Sequence, residues 1–147
     1  MKKELVLFSE EDSFVLGRKI ASSLPMGGFV ALYGDLGSGK TVIARGIADY
    51  LGIINIQSPT FTILQKYNTN PVLYHIDAYR LTCEDELYDI GYEDCFIENA
   101  LVVIEWADIV PQALPLERID VHIYGSGSEP RRICIEYPDN LLLKNVE

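Results

Sequence analysis

Basic residues are scarce in this chain. Twelve Lys and Arg stand against 22 Asp and Glu, a formal net charge of −10 at pH 7, and no run of Lys or Arg occurs. Affinity for nucleic acid comes largely from cations set against phosphates. Tight, direct binding of nucleic acid by the isolated chain is therefore not expected. Cysteine is also sparse: Cys83, Cys95 and Cys134 are widely spaced and form no C-x-x-C pair. That excludes a disulfide framework or a zinc site and suits reduced thiols in the cytoplasm. No apolar run is long enough to span a bilayer, so no membrane association is expected. Met1-Lys2-Lys3-Glu4 leads into only a short apolar run, unlike a signal peptide. There is no internal repeat and no low-complexity segment. At 147 residues and 48% apolar, the chain is expected to be one domain, 1–147, with a sizeable core.

The stretch around which the chain is organised is Gly34-Asp35-Leu36-Gly37-Ser38-Gly39-Lys40-Thr41, a complete G-x-x-x-x-G-K-[S/T] phosphate loop. The apolar run Phe29 to Tyr33 before it predicts a buried strand, and Lys40 to Leu51 after it predicts a helix. Strand, glycine loop and helix in that order separate a working loop from a chance match. The glycines let backbone N–H groups approach phosphate oxygens. The helix N-terminus turns its unpaired N–H groups and positive dipole end toward the anion. Lys40 then reaches the β- and γ-phosphates, and the Thr41 hydroxyl is placed to ligate Mg²⁺. No [N/T]-K-x-D element for guanine selection occurs, which favours ATP.

Elsewhere, Leu5 to Phe8 predicts a first strand, and Ser9 with Asp12 resembles a capping box opening a helix to about Leu24. Thr62 to Tyr67 and Val72 to Ile76 predict a hairpin across Asn68-Thr69-Asn70-Pro71. A short helix from Thr82 should stop at Gly91, followed by a weakly helical Tyr92 to Asn99. Leu101 to Ile104 is fully apolar, the pattern of a central parallel strand. Arg118 to Tyr124 and Arg131 to Tyr137 should pair across Gly125-Ser126-Gly127-Ser128. The tail from Pro138 is a short strand or a loose end. The expected fold is α/β, a P-loop NTPase-type three-layer sandwich with a mostly parallel central sheet and antiparallel additions.

A nucleoside triphosphatase also needs a carboxylate at the end of a neighbouring strand to hold Mg²⁺ or its waters. Glu105 follows the apolar run and fits that role. Asp77 also follows a strand and is a second candidate to orient water, although an Asp opening a turn is equally common there. Thr60 offers a hydroxyl in an extended loop. His75 and His122 lie in apolar strands and are assigned no role.

Taken together, the loop, Arg45-Gly46, Ser58-Pro59-Thr60-Phe61, His75-Ile76-Asp77-Ala78-Tyr79-Arg80-Leu81, Glu86-Leu87 with Gly91, and Ile104-Glu105-Trp106 resemble the bacterial TsaE family over nearly the whole chain. The resemblance implies an ATPase needed to make N6-threonylcarbamoyladenosine at position 37 of tRNAs that read codons starting with A. Such a protein acts with the partner proteins TsaB and TsaD and meets tRNA only through them. It also implies that residues 34–41 bind ATP, that Thr41 and Glu105 serve Mg²⁺, and that Thr60, Asp77 and Glu105 form the hydrolytic site. Glu10, with Ser9 beside it, is brought forward as a neighbour of the base. Two alternatives stand beside this: a small-molecule P-loop kinase, for which no Arg-bearing lid is seen, and a nucleotide-sensing module that hardly hydrolyses ATP.

The charge balance yields a direct prediction. In a gel shift at physiological salt, the isolated chain should bind tRNA no more tightly than the roughly 10⁻⁴–10⁻⁶ M of non-specific contacts; nanomolar binding by this chain alone would contradict it.

Overall fold

In the computed structural model, which describes residues 1–54, 56, 63–143 and 146, a seven-stranded sheet runs in the order β1-β7-β6-β2-β5-β4-β3. The strands are β1 (Lys2–Leu7), β2 (Gly28–Gly34), β3 (Leu64–Tyr67), β4 (Val72–Asp77), β5 (Ala100–Glu105), β6 (Ile119–Tyr124) and β7 (Arg131–Glu136). The four central strands, β6-β2-β5-β4, are mutually parallel, while β1, β7 and β3 pair antiparallel at the flanks. This is the expected mixed architecture. Strand β5 is buried at all six positions, as its unbroken apolar run requires.

The sheet's two faces carry separate cores. Helices α1 (Glu10–Ser22) and α2 (Lys40–Tyr50) cover one, packing Leu16, Ile20, Ile43 and Ile47 on Val30, Leu32, Leu101 and Val103. On the other, the short helix α3 (Glu84–Asp89) and 3₁₀ turns bring Leu87, Tyr92 and Val110 onto Phe29, Ile76, Val102 and Ile104. The alternation of β4 sends Tyr74 and Ile76 to this second core and Leu73 to the first. His75 and Asp77 share the face of Leu73, toward α2.

Helix α1 begins as its sequence predicts. The Ser9 hydroxyl accepts from Asp12 N–H at 3.1 Å. Asp12 closes the turn by accepting from Phe8 N–H at 2.9 Å, one residue earlier than a capping box. Three expectations are corrected. Strand β1 starts at Lys2, because β7 pairs with it in register from Lys2 to Leu7. The segment after Gly91 is a five-residue 3₁₀ helix, Tyr92–Phe96, shorter than expected. The tail is neither a described strand nor loose, since Leu143 and Val146 are buried in the first core and Lys3 Nζ donates to the Val146 carbonyl at 2.6 Å.

Helices α1 and α2 touch backbone to backbone. A Cβ on Gly46 would lie 2.0 Å from the Phe14 carbonyl oxygen, and one on Gly17 would lie 2.1 Å from that of Ile43. Nothing but hydrogen fits at either position. Because α2 carries the phosphate loop at its N-terminus, this contact sets where the loop lies. Gly17→Ala and Gly46→Ala should each lower stability by about 1–3 kcal/mol or more, the usual cost of overpacking. The midpoint of urea unfolding reports it, and wild-type midpoints would show that the helices can part freely.

Candidate functional site

Strands β2, β5 and β4 all end at one edge of the sheet, the edge where α/β folds bind ligands. There β2 passes through Gly34 into the loop, β5 ends in Glu105 and β4 ends in Asp77, with Asp77 directly beside Glu105 in the register. Gly37 (φ 79°) and Gly39 (φ 106°) take left-handed backbone conformations that side chains resist.

Lys40 opens α2 but does not project into solvent. Only 5% exposed, its ammonium donates to the carbonyls of Gly34 at 2.6 Å and Asp35 at 2.9 Å. The Trp106 ring lies over it, 3.9 Å from Nζ to the ring centroid. Burial holds the Lys40 pKa below the ordinary lysine range, partly offset by the charges of Glu105, Asp108, Asp77 and Asp35. Trp106 itself has φ 59°, alone among the described non-glycine residues. A left-handed residue costs about 1–2 kcal/mol, and here it lays the indole between Lys40 and the Tyr79 ring, whose centroid is 4.9 Å away.

Glu105 is 2% exposed. Its Oε1 accepts from the Thr41 hydroxyl at 2.8 Å, and its Oε2 meets His75 Nε2 at 2.6 Å. Asp77 is half-buried and accepts from Tyr79 N–H at 3.0 Å. Burial is the main cause that pushes its pKa above the usual carboxylate range. The Tyr79 bond works against that shift and the Glu105 charge adds to it. Lys40, Thr41, Asp77, Tyr79, Glu105 and Trp106 line a cavity of about 340 Å³ with Leu36, Gly37 and Glu10. The donor set is all hard oxygen, from a hydroxyl and carboxylates, which suits Mg²⁺. Among the described residues no group of three His, Cys, Asp or Glu side chains forms a metal cage. A cation held by Thr41 and Glu105 would therefore need further oxygens, such as those of phosphates.

Comparison with known proteins points one way. The family model described as "Threonylcarbamoyl adenosine biosynthesis protein TsaE" matches residues 7–133. The tRNA threonylcarbamoyladenosine biosynthesis protein TsaE of Bacillus subtilis is 38% identical over 125 residues, covering 84% of this chain and 78% of that protein. Its namesake from Treponema pallidum is 40% identical over 128 residues, covering 86% and 95%. The chain belongs to the TsaE family. The crystal structure of Bacillus subtilis YdiB superposes with a TM-score of 0.78 at 29% identity, covering 95% of this chain and 88% of that one. The fold is therefore that of a solved relative, and the family is named for tRNA threonylcarbamoyladenosine biosynthesis.

Most of the residues that the TsaE resemblance brought forward converge. Gly37, Gly39, Lys40, Thr41, Asp77, Glu105 and Glu10 share the one cavity. The Leu36 side chain is 76% exposed, which leaves its backbone as its contribution to a phosphate cradle. Gly34 is needed for space, since a Cβ there would lie 2.5 Å from Ser38 Oγ. Asp35 and Ser38 supply carbonyl and hydroxyl acceptors around Lys40. Glu10 also borders a second, adjoining cavity of about 200 Å³, between the start of α1, the loop and the β6–β7 turn. Thr60, with the rest of Ser58-Pro59-Thr60-Phe61, lies outside the described residues.

Besides His75, to which the sequence assigned no role and which meets Glu105, two more contributors were missed. The Arg131 guanidinium, from the start of β7, donates to the carbonyls of Ser38 at 2.8 Å and Gly37 at 3.2 Å. It clamps the phosphate loop from a strand 90 residues downstream in the chain, roughly; a lone arginine opening a strand carries no sequence signal of that. Trp106, given no part of its own in the site by the sequence, caps Lys40 at the start of α2. A phosphate chain seated on the loop would draw the ammonium off the ring. Mg²⁺ with a non-hydrolysable ATP analogue should therefore change the emission of this single tryptophan. Lys40→Ala should change the emission before any ligand is added and abolish the response. A variant whose titration matches wild type would show that the two side chains are not linked.

Proposed function

We propose that this TsaE-family protein is a Mg²⁺-dependent ATPase that works with TsaB and TsaD in forming N6-threonylcarbamoyladenosine on tRNA. The observation that carries the reading is the 2.8 Å bond between Thr41, in the first turn after the phosphate loop, and Glu105, at the end of the neighbouring parallel strand. A hydroxyl and a strand-end carboxylate brought together there are the pair that holds Mg²⁺ in phosphate-loop triphosphatases. Bound there, Mg²⁺ would supply charge neutralisation on the β- and γ-phosphate oxygens.

The chain's own groups then divide the work. Loop N–H groups and the α2 N-terminus receive the phosphates. Lys40, drawn from its carbonyl partners, adds positive charge. Glu105 has both oxygens engaged, by Thr41 and His75. Asp77 has an oxygen free of described partners and a pKa raised chiefly by burial, the direction that makes a carboxylate a better proton acceptor. Asp77 is thus the better placed to orient an attacking water. Lys40 is the one cation among the described residues lining the cavity. Turnover by the chain alone should then be slow, and a partner that completes the site would raise it by roughly 10³–10⁵. The acidic balance fits a protein that leaves tRNA to its partners.

Asp77→Asn keeps size and removes the charge. It should bind a non-hydrolysable ATP analogue as wild type does, while single-turnover hydrolysis with TsaB–TsaD falls about 10²–10⁴-fold. A loss of affinity that accounts for the whole effect would make Asp77 a binding residue. Absence of turnover by wild type even with both partners would leave a nucleotide sensor in place of an ATPase.

A further inference from the structure

We infer that His75 is a positioning residue for Glu105, holding one carboxylate oxygen so that the other is presented to Thr41 and to a cation between them. The inference rests on the reading of the cavity as a Mg²⁺–nucleotide site. His75 sits inside β4, between β3 and β5, with no exposed surface. The pleat points it to the same face as Asp77, toward α2. An ionised carboxylate only accepts, so Nε2 donates to Glu105 Oε2, and at 2.6 Å the bond is short, as charge-assisted bonds are. The other ring nitrogen, Nδ1, is fully buried and has no hydrogen-bond partner among the described residues.

That orphan nitrogen argues against a packing role. A Leu or Phe would fill the same volume without burying an unpaired polar atom, whose desolvation is a net cost to folding. What the imidazole supplies and a hydrocarbon cannot is the donor at Nε2. Without it, Glu105 would be a nearly fully buried carboxylate tied only through Thr41, and free to turn about its last torsion. With it, Oε2 is committed to β4, and Oε1 stays directed at the first turn of α2. Outer donors of this kind typically change metal affinity by about 10–100-fold.

The experiment compares His75→Leu, His75→Asn and His75→Gln. The Gln amide reaches the place of Nε2 and retains the donor; the Asn amide is too short, and Leu has none. Calorimetry gives the affinity for a non-hydrolysable ATP analogue in EDTA and its rise with added Mg²⁺. In Leu and Asn the Mg²⁺ concentration for half the rise should increase about 10–100-fold, with affinity in EDTA unchanged, and Gln should restore most of it. Magnesium curves overlaying wild type in all three variants, or Gln as impaired as Asn, would overturn the role. Should Leu fail to fold, the contrast of Gln with Asn, two polar side chains differing by one methylene, decides alone. A wild-type protein whose nucleotide affinity does not respond to Mg²⁺ would instead remove the ATPase reading and this inference with it. A response in wild type that is unaltered in the variants removes His75 only.

Discussion

A carboxylate buried at the end of a central strand is the constraint around which the working edge of this protein is arranged. Desolvating an ionised carboxyl costs several kcal/mol unless donors replace the lost water. Glu105 receives its two donors from opposite directions, Thr41 in the first turn of α2 and His75 on the neighbouring strand. The two bonds form together only when β4, β5 and α2 are all in place. The residues that would handle a phosphate chain are thus locked to the sheet, and a shift in one is felt by the others.

The phosphate loop is held in the same way, from several sides. Lys40 satisfies the carbonyls of Gly34 and Asp35 from within, and Arg131 satisfies those of Ser38 and Gly37 from β7. Beneath the loop, α2 is seated on α1 at Gly17 and Gly46, where the two backbones meet without side chains between them. A loop whose carbonyls are turned back into the protein leaves its N–H groups for an anion, which is the arrangement phosphate recognition needs. Trp106 completes the enclosure, at the expense of a left-handed backbone, by covering the buried ammonium. Local strain beside charged groups in a cavity is the pattern found where conformation and ligand are coupled.

Membership of the TsaE family gives these groups a biological setting, tRNA threonylcarbamoyladenosine biosynthesis. The chemistry of the cavity gives them a proposed task within it. The net charge of −10 and the single cation among the described lining residues suit an accessory role, in which partner proteins would carry tRNA and complete the catalytic charge.

Strand, loop and helix around residues 29–51, the apolar central strand and both hairpins were legible in the sequence, because periodicity, glycine placement and unbroken apolar runs are local consequences of burial. Thr41, Asp77 and Glu105 were legible as candidates for the same reason: each stands at the boundary of an element, where the chemistry of an α/β edge is found. The roles of His75, Arg131 and Trp106 were not. Each acts through a partner far away in the chain: His75 through Glu105, Arg131 through Ser38 and Trp106 through Lys40. A histidine in an apolar strand has the same local pattern whether it fills space or holds a carboxylate. Only strand order and register decide which, because they determine the atom that faces each ring nitrogen.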